Sequence, residues 1–269
     1  MPAVMADQVI LNLHDGSTRT CLVPWGEEMR QALFDCGQNR ARVQGKTLKL
    51  STPEKGIFEI LADDVDSIEI WPPHVLITDL LSPAEIAQAT AHVLARESAF
   101  NDATVYAIDR TGQNHDTRFR RSRVLDDVAD VAPLVANKLQ GLIPRIWPEM
   151  RMPDVTIGRL ECQITAHGDG DYFDTHTDNS MPDIAHRKVS YVYYLHQEPK
   201  RFQGGHLKFY RSRLKDGVSM CGAPAAEIEP PRNSLMIFPS HTYHQVTPIT
   251  SSSAALADQR LTINGWLCD

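Results

Sequence analysis

Paired cysteines, long apolar runs and an excess of positive charge are all missing from this sequence, and each absence closes off a class of protein. The five cysteines, Cys21, Cys36, Cys162, Cys221 and Cys268, are scattered, odd in number and show no CxxC spacing. That pattern argues against a disulfide framework and against a cysteine zinc site, and favours a reducing compartment. The opening MPAVMADQVILNL has no basic stretch followed by a long apolar core, so no signal peptide is expected. No apolar run approaches the roughly 18 residues of a membrane span. The expectation is a soluble, cytoplasmic protein with no membrane partner. A net charge of −7 leaves no overall electrostatic footprint for nucleic acid. The one basic run, RFRRSR at 118–123, is followed at once by Asp126, Asp127 and Asp130. No glutamate stands at the H-E-x-x-H spacing of a zinc hydrolase.

What is present is an ordinary globular composition, 42% hydrophobic and 23% charged over 269 residues, enough for one large domain beside a small one. Residues 1–72 read as a separate α+β accessory module. Two β-rich runs flank HDGS as a hairpin, EEMRQALFDCG is a helix with Gly37 as its stop, and KTLKLS, IFEIL and SIEIW are short strands. The β-β-α-β-β order suggests a β-grasp type. WPPH at 71–74 is the boundary, because consecutive prolines stop both helix and sheet. In 73–269, SPAE is a helix start with Ser82 as cap, Pro83 in the first turn and Glu85 three residues after the cap. A second helix is expected over about 131–143, stopped by Pro144. Short strands dominate from about 154 onward, so helices backing a β-sandwich or barrel are expected.

DYFDTHTDNS, 171–180, sets His176 and Asp178 two apart in a segment that reads as extended. Residues i and i+2 of a strand share a face, so both side chains can reach one ion while Thr177 points away. H-x-D alone arises by chance, and its bland reading is a hydrogen-bonded pair at a strand edge. LMIFPSHTYHQVTPI, 235–249, adds His241 and His244, either of which can supply a third ligand. RLTINGWL then puts Arg260 at the head of an alternating strand, with Thr262, Asn264 and Trp266 on one face and Leu261, Ile263 and Gly265 on the other. Arginine is hard to bury without an anion, and its planar fork matches a carboxylate. Two histidines, a carboxylate and a carboxylate-binding arginine are the parts of a non-haem iron(II) oxygenase, whose triad leaves positions open for a 2-oxoacid and O₂.

These motifs carry a resemblance. GDYFDTHTDN, YVYYLH, FQGGHLKFY, FPSHTYHQVTPI and RLTINGWL occur in the order seen in the prolyl 4-hydroxylase-like branch of the iron(II)- and 2-oxoglutarate-dependent dioxygenases, which 74–269 resembles. The resemblance implies a mainly β fold, a double-stranded β-helix (jelly-roll) core. By position it implies His176, Asp178 and His244 as iron ligands, with HQVTP favouring His244 over His241. Arg260 would pair with the distal carboxylate of 2-oxoglutarate, Tyr194 would donate its hydroxyl to the same group, and Thr262 faces the same way. No catalytic side chain beyond the metal centre is implied.

Three departures stand out. Where relatives carry a tyrosine about ten residues before the first histidine, this chain has CQITAHG, and Gln163 or Thr165 is the expected polar substitute. The distal histidine and the arginine are 16 residues apart, with TSSSAALADQ expected as a surface loop. Residues 1–70 have no counterpart in the minimal enzyme.

The implied activity is hydroxylation of an unactivated C–H bond in an amino-acid-like small molecule or a peptidyl residue such as proline, giving succinate and CO₂. Iron(II), 2-oxoglutarate and O₂ are the implied cofactors, with ascorbate a candidate reductant. The partners are then a small-molecule or peptide substrate, with homo-oligomerisation left open. Asp178 points to hydroxylation rather than halogenation, and 100–123 and 211–232 are candidate lids. The bland readings make Tyr191, Tyr193, Tyr194 and Trp266 core, and Asp169, Asp171 and Asp174 solvated loop carboxylates. The rival function is a non-catalytic, cupin-like metal-binding or sensor domain with an N-terminal interaction module, which has no need of Arg260 and Tyr194.

Overall fold

Thr47–Ser51 illustrates how this chain makes strands: exposed and buried side chains alternate along its five residues, the period-2 pattern of a sheet with one covered face. The computed structural model describes residues 6–24, 28–54, 56–106, 113–114, 116–150 and 156–269, which divide into two compact units. The first comprises the chain up to Pro72 together with Tyr210–Ala225. Its elements are β1 (Ala6–Leu13), β2 (Thr18–Pro24), α1 (Glu28–Gln38), β3 (Thr47–Ser51), β4 (Ile57–Leu61) and β5 (Val65–Ile70). The sheet order is β5-β1-β2-β3-β4 with antiparallel pairing throughout. Leu33 and Cys36 of α1 join Val9, Leu11, Leu48 and Ile68 in one buried cluster. Gly37 does not stop the helix, which runs on to Gln38. A Cβ at Gly37 would lie 2.9 Å from both the Cβ and the carbonyl oxygen of Leu214, so the glycine is there for close approach.

The second unit, Pro73–Phe209 with Ala226–Asp269, begins with β6 (Val75–Thr78) and α2 (Pro83–Leu94). Short strands follow: β7 (Asn101–Asp102), β8 (Val105–Tyr106), β9 (Gln113–Asn114), β10 (Arg120–Arg121) and β11 (Arg123–Leu125). After α3 (Ala132–Met150) come β12 (Arg159–His167), β13 (Tyr172–His176), β14 (Arg187–Tyr194) and β15 (Phe202–Gly204). The last strands are β16 (Leu207–Lys215) and β17 (Val218–Ile228), of which Tyr210–Ala225 belongs to the first unit, then β18 (Ser234–Pro239), β19 (His244–Val246), β20 (Ile249–Ser251) and β21 (Arg260–Cys268). The unit is mostly β, with the antiparallel strands of a jelly-roll core. One sheet has the order β6-β18-β14-β21-β12-β11-β7, and in the other β10, β13, β19 and the first residues of β16 are neighbours.

Ser82 caps α2 as its sequence dictates: its Oγ accepts from the Glu85 N–H at 3.3 Å, and the Glu85 carboxylate accepts from the Ser82 N–H at 2.7 Å. Helix α3 departs from expectation, running through Pro144 and Pro148 to Met150. Ile146 and Met150 are buried in the same cluster as Val135 and Leu139. Burial of that continuing apolar face offsets the roughly 3 kcal/mol that an interior proline costs.

Residues 211–232 were expected as a lid, and they are instead largely strand. Ser212–Leu214 pair with Ile70–Ile68 and Leu214 joins the first unit's core. Arg213 and Lys215 both reach Asp66, at 3.3 and 2.7 Å. Of the other expected lid, residues 107–112 and 115 lie outside the described residues.

Candidate metal centre

Register brings the two distant histidines together. Strand β13 ends on His176 and β19 begins on His244, and these two are Cα partners across the antiparallel pair, with ring centroids 4.2 Å apart. Asp178 lies beyond the end of β13 rather than within a strand, fixed by its own N–H donating to Ser240 O at 2.8 Å. His176 Nε2 is 3.6 Å from Asp178 Oδ1 and His244 Nε2 is 3.7 Å from Asp178 Oδ2. All three ligand atoms fall within 4.8 Å of one another. The Nδ1 atoms face backbone carbonyls, Asp174 O at 2.6 Å and Thr242 O at 2.9 Å. Donation there fixes the tautomer that leaves each Nε2 lone pair free, the usual outer support of a metal-bound histidine. Ser190 Oγ donates to Asp178 Oδ2 at 2.6 Å and lies 3.0 Å from Ser240 Oγ. Phe173 stacks on His176 at 3.6 Å, and Phe238 meets His244 edge-on at 4.7 Å. His241, the alternative ligand, is exposed in the preceding turn and outside this cluster.

Charge in the cluster is set by burial and by the neighbours. Burial, then the adjacent His244, holds His176 down to about 3 against the opposing pull of Asp178, so its ring is neutral. Burial pushes the Asp178 carboxyl up, but His244, His176 and the Ser190 hydrogen bond together outweigh it and keep the group an anion. Two imidazoles and one carboxylate with Nε2 lone pairs converging form a donor set suited to a divalent first-row metal.

The other end of the same cavity is built to receive an anion. On β21, Arg260 and Thr262 face inward opposite His167 and Thr165 of β12, while Leu261 and Ile263 enter the hydrophobic core. Arg260 is 2% exposed, and its Nε donates to Gly205 O at 2.8 Å. Gly205 has φ 67°, and a Cβ there would meet Arg260 Cδ at 2.6 Å, so the FQGG turn needs glycine where the arginine passes. Arg260 Nη2 and the Tyr194 hydroxyl are both buried without a hydrogen-bond partner. The Arg260 guanidinium lies 5.1 Å from the centre of the Tyr194 ring. Two orphaned buried donors this close fit an incoming carboxylate, since a cation left unpaired in a core is costly.

Gln163 and Thr165 also line the cavity, but they are bonded to their neighbours. Thr165 Oγ1 donates to Asn264 Oδ1 at 2.8 Å, Gln163 Nε2 reaches Thr165 Oγ1 at 3.5 Å, and Thr262 Oγ1 reaches the same Asn264 oxygen at 3.4 Å. The residue overlooked in CQITAHG is His167. It is 3% exposed, directly opposite Arg260, and neither ring nitrogen has a partner. Burial, then the Arg260 and Arg120 charges, holds it well below the ordinary histidine range. The strand alternation Gln163-Thr165-His167 was the available signal, because it continues the same face by one more step. Trp266 is likewise not simple core. It lines the cavity, and the Arg187 guanidinium lies 3.5 Å over its ring.

A second, larger cavity adjoins, and Arg120 lines both. Its wall includes Ser251, Ser252, Ser253, Ala254 and Gln259, so the expected surface loop TSSSAALADQ shapes a cavity. Leu256, 1% exposed, and the hydrogen bond from Gln259 Nε2 to Ala254 O hold that loop in place. Asp169 and Asp171 are structural, accepting from the N–H groups of Ser251 and Gly168 at 2.8 Å each.

Residues 162–268 match the model of the 2OG-Fe(II) oxygenase superfamily. A PKHD-type hydroxylase of Synechocystis sp. is 32% identical over 152 residues, covering 56% of this chain and 50% of that protein. Another, from Synechococcus sp., is 26% identical over 198 residues, 71% of this chain and 76% of that one. The chain thus spans about half the length of the first relative and about three quarters of the second. Among solved structures, a Pseudomonas putida prolyl-4-hydroxylase superposes with TM-score 0.52 at 20% identity, over 73% of this chain and 92% of that one. A Trichoplax adhaerens prolyl hydroxylase, in complex with a hypoxia inducible factor peptide fragment, gives TM-score 0.54 at 18% identity, over 74% and 84%. At these identities the likeness to both structures is one of fold.

Proposed function

We propose that the chain is an iron(II)- and 2-oxoglutarate-dependent hydroxylase, a reading supported by the match of residues 162–268 to the model of the 2OG-Fe(II) oxygenase superfamily. His176, Asp178 and His244 hold the metal, and Arg260 with Tyr194 takes the far carboxylate of 2-oxoglutarate. The observation that carries the reading is the orphaned buried donor Arg260 Nη2 in the cavity that the three converging ligands line, with the orphaned Tyr194 hydroxyl on the ring beside that arginine. A metal-binding or sensor module needs the triad but has no use for a buried guanidinium left unpaired. When bound, iron and 2-oxoglutarate supply the activation of O₂ that hydroxylates an unactivated C–H bond, with succinate and CO₂ as co-products.

The chain's own residues do the rest. Asp174 O and Thr242 O orient the two imidazoles, and Ser190 holds Asp178 in its ligand rotamer. Phe173 and Phe238 screen the two rings from water. His167, neutral and unpartnered opposite Arg260, offers one N–H or one lone pair to whatever fills the cavity and serves as a cosubstrate contact in place of Gln163. Thr262 supports that end through Asn264. We read α2 and α3 as the helical backing of the jelly roll, and 1–72 as an accessory module. A peptide is a candidate substrate, a reading supported by the fold shared with a prolyl hydroxylase bound to a peptide fragment.

The test is anaerobic. Iron(II) and 2-oxoglutarate added to the purified protein should give the weak visible charge-transfer band of the chelate. Arg260→Ala should weaken 2-oxoglutarate binding by about 2–5 kcal/mol, the cost of removing one partner of a buried, hydrogen-bonded charge pair. Metal bound with no band would sink the oxygenase reading and favour the metal-binding module.

A further inference from the structure

Among the described residues Arg120 forms no ion pair, and it is set between the metal ligands and the second cavity. It lies on β10 opposite Phe173 of β13, and its guanidinium carbon is 4.7 Å from the centre of the Phe173 ring. That ring in turn stacks on His176. Its Nε donates to Ser122 Oγ at 2.9 Å, and its Nη1 reaches Thr104 O only at 3.5 Å, so donors remain free. The acid whose charge it feels is Asp178, and that carboxylate already has a metal to serve. Four other acids line the second cavity: Asp171 faces Arg121 at 3.7 Å, Asp169 accepts from the Ser251 backbone, and Glu97 and Asp102 are exposed and form no ion pair with Arg120. Arg123, on the same wall, bonds the neutral amide of Gln259 at 3.2 Å and adds a second positive charge there.

With the centre loaded as proposed above, charges there cancel. Iron(II), the Asp178 carboxylate, a 2-oxoglutarate dianion and Arg260 sum to zero, and Arg120 is the charge left over. The Arg120 guanidinium is half-buried, with donors left over that suit a planar anion. A carboxylate arriving with the substrate would reach it through the second cavity, the space that Arg120 faces besides the metal cavity.

We propose that the substrate carries a carboxylate that docks on Arg120 through the second cavity, with the C–H bond to be hydroxylated held on the metal side of that contact. This rests on the hydroxylase reading and names the substrate class for it. The fork of Arg120 gives bidentate recognition that an amide cannot match. Two sources present that chemistry: the α-carboxylate of a free amino acid and an acidic side chain next to the target in a peptide.

The experiment uses the full chain with iron(II) and 2-oxoglutarate bound under anaerobic conditions, read through its visible band. Common free amino acids are titrated against their carboxamides, and a proline-containing peptide with an adjacent aspartate against its asparagine twin. The acids are expected to perturb the band and the amides to leave it unchanged. Arg120→Gln should weaken the response roughly tenfold to a hundredfold while retaining the unperturbed band, and Arg120→Lys should recover part of it. A response to free acids alone assigns a small molecule, and one to the aspartate peptide alone assigns a peptide. A normal band that acids and amides perturb equally, or not at all, overturns the proposal, as does an Arg120→Gln protein that responds like wild type. Absence of the band in wild type is a separate result, which removes the hydroxylase reading beneath it.

Discussion

Among the described residues, two clusters bring three metal-ligating side chains within 4.8 Å of one another: His176, Asp178 and His244, and, elsewhere in the same unit, Glu161, His186 and Cys268. Their surroundings differ. In the first, both Nδ1 atoms face backbone carbonyls and one carboxylate oxygen accepts from a hydroxyl, and the two Nε2 lone pairs stay free. In the second, Arg187 Nε donates to Glu161 Oε2 at 2.8 Å, Arg159 takes the other oxygen, and His186 Nε2 is 2.9 Å from it. Two cations already neutralise that carboxylate, and burial together with Glu161 pushes the Cys268 thiol up, away from the thiolate a metal needs. Proximity of ligand types is therefore not a metal site. Unspent lone pairs and an uncompensated negative charge make one.

The comparison can be broken by mutation. His176→Ala is expected to abolish binding of one iron(II) or manganese(II) per chain, whereas His186→Ala leaves the stoichiometry at one, as read by calorimetry under nitrogen. Loss in both variants, or in neither, would mean that the two clusters are not distinguished as argued. Ser190→Ala should have the next largest effect. It keeps all three ligands but frees Asp178 to rotate, weakening metal affinity by roughly 10–100-fold, the usual cost of losing an outer support.

The pH dependence of the metal-free protein sharpens the same contrast. Buried His176 and His196 are held down to about 3 and about 4, against an ordinary value of 6.5, chiefly by burial. The unfolded chain therefore takes up protons first as the pH falls. Stability is full above about 6.5 and declines steadily below it, toward the folded-state values. Thermal unfolding followed from neutral pH to about 5 should show this decline, with a shallower slope in His196→Phe. A flat profile would contradict the burial assigned to these rings. Glu161→Gln should matter least. It breaks a partly exposed ion-pair network, for about 0–1 kcal/mol of stability, and metal binding should not change.

What could be read from the chain differs from residue to residue. The cap at Ser82 and the alternation of β21 were legible, because both depend on neighbours within four residues. The course of α3 past Pro144 was not, since it is decided by burial of Ile146 and Met150 against distant strands. His167 escaped notice because a histidine in a half-polar run has no local mark of function. Its significance comes from facing Arg260 across a register that only pairing reveals. Arg120 looked like one basic residue among several at 118–123. Its neighbours separate it from the rest: Arg118 is spent on Asp116, Arg121 faces Asp171, and among the described residues Arg120 forms no ion pair.

By itself the sequence determined the chemical inventory and its order: an H-x-D pair, a later histidine before V-T-P, and an arginine heading a final alternating strand. Spacing along a strand fixes which side chains share a face, and that information is local. Tertiary structure alone decided that His244 meets His176 across one register, which arginines among the described residues form no ion pair, and that 210–225 packs with the first unit. Those outcomes depend on strand register and on desolvation. Both are set by residues far apart in the chain, and their energies exist only once the sheets have closed and water has been excluded.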